Sequence, residues 1–185
     1  MKLSIQQIQS VTRGAEQILE ENGIIRFYRF TEEELALYRA RPDYFHIASS
    51  TAGVQLEFRT DATLLRLRVT STEEKLYRKY FAYDILVNES LVGQLKNYPK
   101  DPENGEYDEI PVTDGPFEGS FNLGSGVKTV RIVFPWSVNL GLKACCLDGA
   151  TFLKPVERNR KLLIYGDSVT QGACSLYPSQ TYSAL

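Results

Sequence analysis

The residues with the clearest chemical potential lie near the end of the chain, in Leu163-Ile164-Tyr165-Gly166-Asp167-Ser168-Val169-Thr170-Gln171-Gly172. An apolar run, a glycine-bearing turn and a serine follow one another there. A serine just past the carboxyl end of a buried parallel strand lies at the sheet edge where α/β proteins bind ligands. If a helix opens at that serine, its N–H groups and dipole favour the oxyanion of acyl transfer. Gly166 permits the sharp turn that such an arrangement needs. The chemistry would be attack by the Ser168 hydroxyl on an acyl carbonyl. Gly-Asp-Ser alone is also an ordinary turn sequence, because all three residue types favour turns. The longer string carries the signal.

That string resembles the first conserved block of the SGNH (GDSL) serine hydrolases: an apolar strand, Gly-Asp-Ser, an aliphatic residue, Thr, any residue, Gly. Each position is matched by residues 163–172. The resemblance implies a carboxylic ester hydrolase, lipase- or acylhydrolase-like, acting through a serine acyl-enzyme. It makes Ser168 the nucleophile and its own N–H one oxyanion donor. Asp167 is then a turn-shaping residue rather than the triad acid. The front of the chain is similar to the N-terminal β-sandwich of two-domain bacterial members, in Phe27-Tyr28-Arg29-Phe30, Thr51 to Ala62, Phe134-Pro135-Trp136 and Leu147-Asp148-Gly149. Carbohydrate esterase family two has a similar jelly-roll-then-SGNH layout. This second likeness implies small acyl esters or acetylated carbohydrate as substrate, and no cofactor.

The family also uses a glycine and an asparagine from later blocks, and a late Asp-x-x-His for the triad acid and base. None of these is present in the 185 residues, whose single histidine is His46. A serine without an adjacent base is a weak nucleophile. His46, in Asp43-Tyr44-Phe45-His46-Ile47-Ala48, is expected to be a strand or turn histidine with a structural partner. The expectation is a truncated hydrolase whose 185-residue portion does not turn over esters by itself.

Other constellations are weaker. Asp101, Glu103, Asn104 and Glu106 depart from a calcium-loop spacing and read as a solvated acidic turn. Cys145 and Cys146 are adjacent, so on a strand they point to opposite faces and do not share a metal. With Cys174 they make an odd count, a poor disulfide framework, and read as reduced thiols. No metal site is expected. Trp136, on the corner Phe134-Pro135-Trp136-Ser137, is a weak candidate for substrate binding by stacking on a sugar ring. It could equally line the domain interface near the serine, or simply pack. Tyr77, Tyr80, Phe81 and Tyr83 with Lys75, Arg78 and Lys79 read as a hairpin face.

The elements that must position Ser168 are legible in patterning. Residues 4–22 carry Ile5, Ile8, Val11, Ala15, Ile18 and Leu19 at helical spacing, with Ser4 at the cap and Gly23 at the end, and predict a helix. Residues 24–30 read as a strand. Thr31 and Glu34 form a capping box that opens a helix to about Arg39, ended by Arg41-Pro42. From Tyr44 on, strand signals dominate. Val54, Leu56 and Phe58 alternate with Gln55, Glu57 and Arg59, and Leu65, Leu67 and Val69 with Arg66, Arg68 and Thr70. Further strands are expected at 81–88, 91–96, 107–112, 117–123, 128–134 and 140–152.

This pattern predicts a mainly β fold, a jelly-roll β-sandwich with an N-terminal helix, each sheet having one buried and one wet face. The first strand and turn of a truncated α/β SGNH (flavodoxin-like) domain would follow. The expected division is 1–155 sandwich accessory domain, 156–161 linker and 162–185 start of the hydrolase domain. A carbohydrate-binding or purely structural sandwich without catalysis is the alternative reading.

Composition sets outer bounds. Net charge is −2 and apolar and charged fractions are 43% and 24%, near globular averages. Nothing steers the chain to nucleic acid or to an anionic membrane. The N-terminus has no apolar signal core and no run reaches a membrane span, so the location expected is cytoplasmic. The oligomeric state is not legible.

Overall fold

The computed structural model describes residues 1–70, 80–99, 113, 115–159, 162, 164–181 and 184. The strand expected at 107–112, the acidic turn around 101–106 and Tyr77, Lys75, Arg78 and Lys79 lie outside the described residues.

The chain opens with α1 (Ile5–Val11), where Ser4 and Gln7 form a reciprocal capping box. Then come β1 (Thr12–Arg13), β2 (Gln17–Glu21), β3 (Ile24–Tyr28), α2 (Glu32–Arg39) and α3 (Pro42–Ser49). The strands β4 (Gln55–Thr60), β5 (Leu64–Val69), β6 (Ala82–Val87), β7 (Ser90–Lys96), β8 (Phe117–Asn122), β9 (Lys128–Val133), β10 (Leu142–Asp148) and β11 (Leu153–Pro155) follow. A short helix α4 (Ser168–Gln171) and a 3-10 turn (Pro178–Gln180) close the sequence of elements.

Two antiparallel sheets make a β-sandwich. One has the order β1-β4-β9-β6-β7, with β11 on β4 beside β1, and the other runs β2-β3-β10-β5-β8. Between them pack Phe27, Phe58, Phe134, Tyr83, Leu65 and Ile132, all fully buried. Phe134 meets Phe27 and Tyr83 edge-to-face at 4.8 and 5.0 Å between centroids. In β5 the expected alternation holds: Leu65, Leu67 and Val69 are buried, Arg66 and Arg68 exposed.

Three expectations are corrected. The helix over 4–22 ends at Val11, and residues 17–28 form a hairpin instead. Gly14 turns the chain at φ +76°, with the Gly53 carbonyl 2.3 Å from where a Cβ would stand. Glu21 pairs with Ile24, so Asn22-Gly23 is a two-residue loop, and both residues have positive φ. That loop is a type I′ turn, for which Asn-Gly is a strong sequence signal. The helical spacing of Ile18 and Leu19 lost to it.

His46 lies on a helix, not on a strand or turn. Pro42 supplies a pre-set φ at the start of α3. Arg29 closes the other end: its guanidinium donates to the carbonyls of Ile47 (2.7 Å) and Ser50 (2.9 Å). A distant cation at the last carbonyls thus decides a local question that Phe45 and Ile47 left open.

The outer face of the β1–β7 sheet is not wet. Glu57 is 1% exposed and pairs with Arg158, and β6 is buried on both faces. The cover comes from the end of the chain.

Candidate active site

Around Ser168 the backbone is shaped by its own side chains. Asp167 is the extended N-cap of α4, and its Oδ1 accepts from the Val169 N–H at 3.0 Å and, more weakly, from Thr170 at 3.5 Å. Ser168 is the first helical residue and is exposed. Gly166 is required by contact: a Cβ there would stand 2.1 Å from Thr170 Oγ1. Gly172 ends the turn at φ +99°, and its N–H donates to the Val169 carbonyl at 3.0 Å. A Cβ on Gly172 would meet Thr181 Cγ2 at 2.4 Å. The Gly-Asp-Ser-x-Thr-x-Gly spacing is therefore one closed turn, with glycine where Thr170 approaches from within it and where Thr181 approaches from outside.

Residues after the turn lie across the outer face of β6 and β9. Gln171 Nε2 donates to Ser50 Oγ at 3.1 Å and to the Trp136 carbonyl at 3.2 Å. Trp136 Nε1 donates to the Ser175 carbonyl at 2.8 Å. Gln94 Nε2 and the Tyr98 hydroxyl donate to the Leu176 carbonyl at 3.3 and 3.0 Å. Asp84, fully buried, accepts the Ser179 N–H at 2.9 Å and the Ser179 hydroxyl at 2.6 Å, while its other oxygen accepts from Gln94 at 2.7 Å. Arg131 Nη1 donates to the Ala184 carbonyl at 3.0 Å. Ala173 and Leu176 pack on Ala52, Tyr80, Ala82, Tyr98 and Trp136. Apolar contact and matched polar groups both hold this segment to the sandwich.

Trp136 is 3% exposed, its ring edge-to-face with Tyr80 at 6.5 Å. It sits under the segment that carries the serine turn, with no free face for a sugar. His46 is half-buried on α3, and its carbonyl accepts from Ser49 Oγ at 3.2 Å. The helix end nearest it, at Ser50, touches Gln171. Sequence reasoning missed Gln171 and Asp84. Gln171 occupies the variable position of the serine block, which carries no motif signal. Asp84 did leave one: a lone carboxylate in the apolar strand Ala82–Val87.

Leu162, Ile164 and Tyr165, expected as a buried strand, are exposed, at 84%, 39% and 99%. They join no ladder among the described residues. A parallel strand needs flanking strands to satisfy its backbone, and the sandwich offers it none.

The Arg29 guanidinium also donates to Ser50 Oγ at 3.3 Å, and burial pulls it down to about 10. Burial pushes the Cys145 thiol up to about 12. Cys145, Cys146 and Cys174 form no disulfide among the described residues. Among the described residues no group of three or more His, Cys, Asp or Glu could hold a metal ion. No described helix is long and apolar enough to cross a membrane.

No family model and no curated protein matches the sequence. Solved structures do. The salicylyl-acyltransferase SsfX3 from a tetracycline biosynthetic pathway overlays at a TM-score of 0.71 with 24% identity, over 94% of this chain and 46% of its own. A structure designated as a GDSL-like lipase, from Bacteroides ovatus, overlays at 0.58 with 18% identity, over 96% of this chain and 50% of its own. A family two carbohydrate esterase from Cellvibrio japonicus gives 0.49, too loose to support an argument. What the chain shares with the acyltransferase and lipase structures is its fold, a two-sheet β-sandwich followed by the segment that carries the serine turn. The chain spans about half the length of these structures.

Proposed function

We propose that the chain is the front part of an SGNH-type carboxylic ester hydrolase, with Ser168 as nucleophile. The observation that carries this reading is the closed Gly166–Gly172 turn, which presents Ser168 exposed at the start of a capped helix. The fold shared with a GDSL-like lipase and an acyltransferase supports it. In this reading Ser168 Oγ attacks the acyl carbonyl and the Ser168 N–H helps to hold the oxyanion. The alcohol leaves, an acyl-enzyme forms, and water releases the acid. An alcohol in place of water would make the same intermediate an acyl-transfer one, as the name of the salicylyl-acyltransferase describes for that protein.

Residues 1–155 are then an accessory jelly-roll domain, 156–161 a connection and 162–185 the start of the hydrolase domain. The substrates are small acyl esters, including acetyl groups on carbohydrate, the location is cytoplasmic and no cofactor is needed. The triad histidine and acid come from residues beyond Leu185, so the 185-residue chain does not turn over esters alone. The role we assign to the sandwich is structural support of the serine turn. The contacts under residues 171–181 and 184 favour this over glycan binding at Trp136.

Reading the encoding DNA past the codon for Leu185 tests this. A frame that continues for about another domain's length, with a Gly-x-Asn-Asp and a late Asp-x-x-His, is expected. A stop codon directly after Leu185 would overturn the hydrolase reading.

A further inference from the structure

The contacts beneath Ser168 are concentrated at one side chain. Gln171 closes the serine turn, and its carboxamide nitrogen forks to two acceptors, Ser50 Oγ at 3.1 Å and the Trp136 carbonyl at 3.2 Å. Neither acceptor belongs to the turn. Ser50 caps α3, and Trp136 lies in the loop after β9.

The Ser50 hydroxyl is 1% exposed with its hydrogen committed, since it donates to the Ile47 carbonyl at 2.8 Å. Its lone pairs are therefore turned toward donors. One donor is Gln171, and the other is Arg29 Nη2 at 3.3 Å. Arg29 in turn is fixed by the carbonyls of Ile47 and Ser50. A hydroxyl with all three bonds made, two of them to groups that are themselves held, has no rotational freedom left.

We propose that Gln171 is a positioning residue for Ser168, anchored through Ser50 by Arg29, so that the sandwich sets where the nucleophile sits. The proposal rests on the reading of Ser168 as nucleophile. Gln171 touches no reacting atom. It holds the last residue of a four-residue helix whose first residue is Ser168. A shift of about 1 Å at a nucleophile is enough to cost on the order of a hundredfold in rate.

The test uses the full chain and the variants Gln171→Ala, Gln171→Glu and Ser50→Ala. Gln171→Glu keeps the volume but has no N–H to donate, which separates hydrogen bonding from packing. Amide hydrogen exchange is followed at Gln171, Gly172 and Ala173, whose N–H groups are bonded within the turn. Exchange there is expected to quicken about five- to tenfold in all three variants, with the β5 amides unchanged. Gln171→Ala combined with Ser50→Ala is expected to add little beyond either alone. In ester turnover by the protein made from the uninterrupted reading frame, kcat falls while KM stays within about twofold.

Unchanged exchange at the turn, a harmless Gln171→Glu, or fully additive effects would overturn the proposal. If the turn loosens but Ser168→Ala leaves ester turnover intact, the hydrolase reading fails and the anchoring of the turn stands.

Discussion

The Trp136 indole N–H donates to the Ser175 carbonyl at 2.8 Å, seven residues beyond Ser168. This one bond joins a loop of the sandwich to the segment that carries the serine, and the indole lies 3% exposed beneath it. Trp136 is the only tryptophan in the chain, so its fluorescence reports this contact directly. Native emission is expected to be blue-shifted and shielded from iodide. Removing residues 167–185 should shift it to the red and open it to quenching. Trp136→Phe keeps most of the packing and should cost about 1 kcal/mol for the lost bond. Emission that ignores the truncation would contradict the docking.

Gly172 is held by backbone and by contact together, at φ +99° and with Thr181 Cγ2 2.4 Å from where the methyl group of an alanine would stand. Gly172→Ala should destabilise the chain by about 1–3 kcal/mol and displace the serine turn. Gly23 provides the control. It has φ +73° but nothing within 4 Å, so Gly23→Ala should cost only about 1 kcal/mol of backbone strain. Thermal unfolding of the two variants measures the difference.

Asp84 is a buried carboxylate whose partners are neutral. Ser179 gives it an N–H and a hydroxyl, and Gln94 an amide. Hydrogen bonds to a charged group are each worth about 1.5–3 kcal/mol. Asp84→Ala leaves the Ser179 N–H without that acceptor, and is expected to free residues 171–181 from the sheet. Limited proteolysis should then cut in this segment before the sandwich, and equal resistance of variant and parent would count against the assignment.

Tyr83 presents the opposite situation. Its ring meets Phe81 and Phe134 edge-to-face, and its hydroxyl is buried with no hydrogen-bond partner among the described residues. Tyr83→Phe should therefore be neutral or stabilising by about 1 kcal/mol at neutral pH. Burial also raises the Tyr83 phenol far above the ordinary tyrosine range. A raised folded value means that stability is fully present below pH about 10 and lost as pH rises above it, where only the unfolded chain ionises. Denaturant titrations between pH 8 and pH 11 should show this alkaline loss in the parent, and less of it in Tyr83→Phe.

Much of this architecture was legible in the sequence. Leu65, Leu67 and Val69 against Arg66 and Arg68 declared a half-buried strand, and Thr31 with Glu34 declared a helix start, because both signals are local. The serine block was legible for the same reason: Gly166, Asp167, Thr170 and Gly172 make their contacts within the turn, Gly172 apart from its meeting with Thr181. The failures have a common physical origin. Residues 42–49 were decided by a distant partner, the Arg29 guanidinium, which local patterning does not show. Glu57 read as an outward residue and Asp84 drew no reading, and both are buried because a segment about a hundred residues further on covers them. Asn22-Gly23 was the overlooked local signal, a hairpin turn set inside what read as a helix end.

The central claim is that Ser168 is an acyl-forming nucleophile. The protein made from the uninterrupted reading frame should be mixed with p-nitrophenyl acetate, quenched early in turnover and analysed by peptide mass spectrometry. The account predicts an acetyl adduct on Ser168, and loss of both adduct and hydrolysis in Ser168→Ala. Hydrolysis that persists in Ser168→Ala, or an acetyl group carried by another residue, would contradict it.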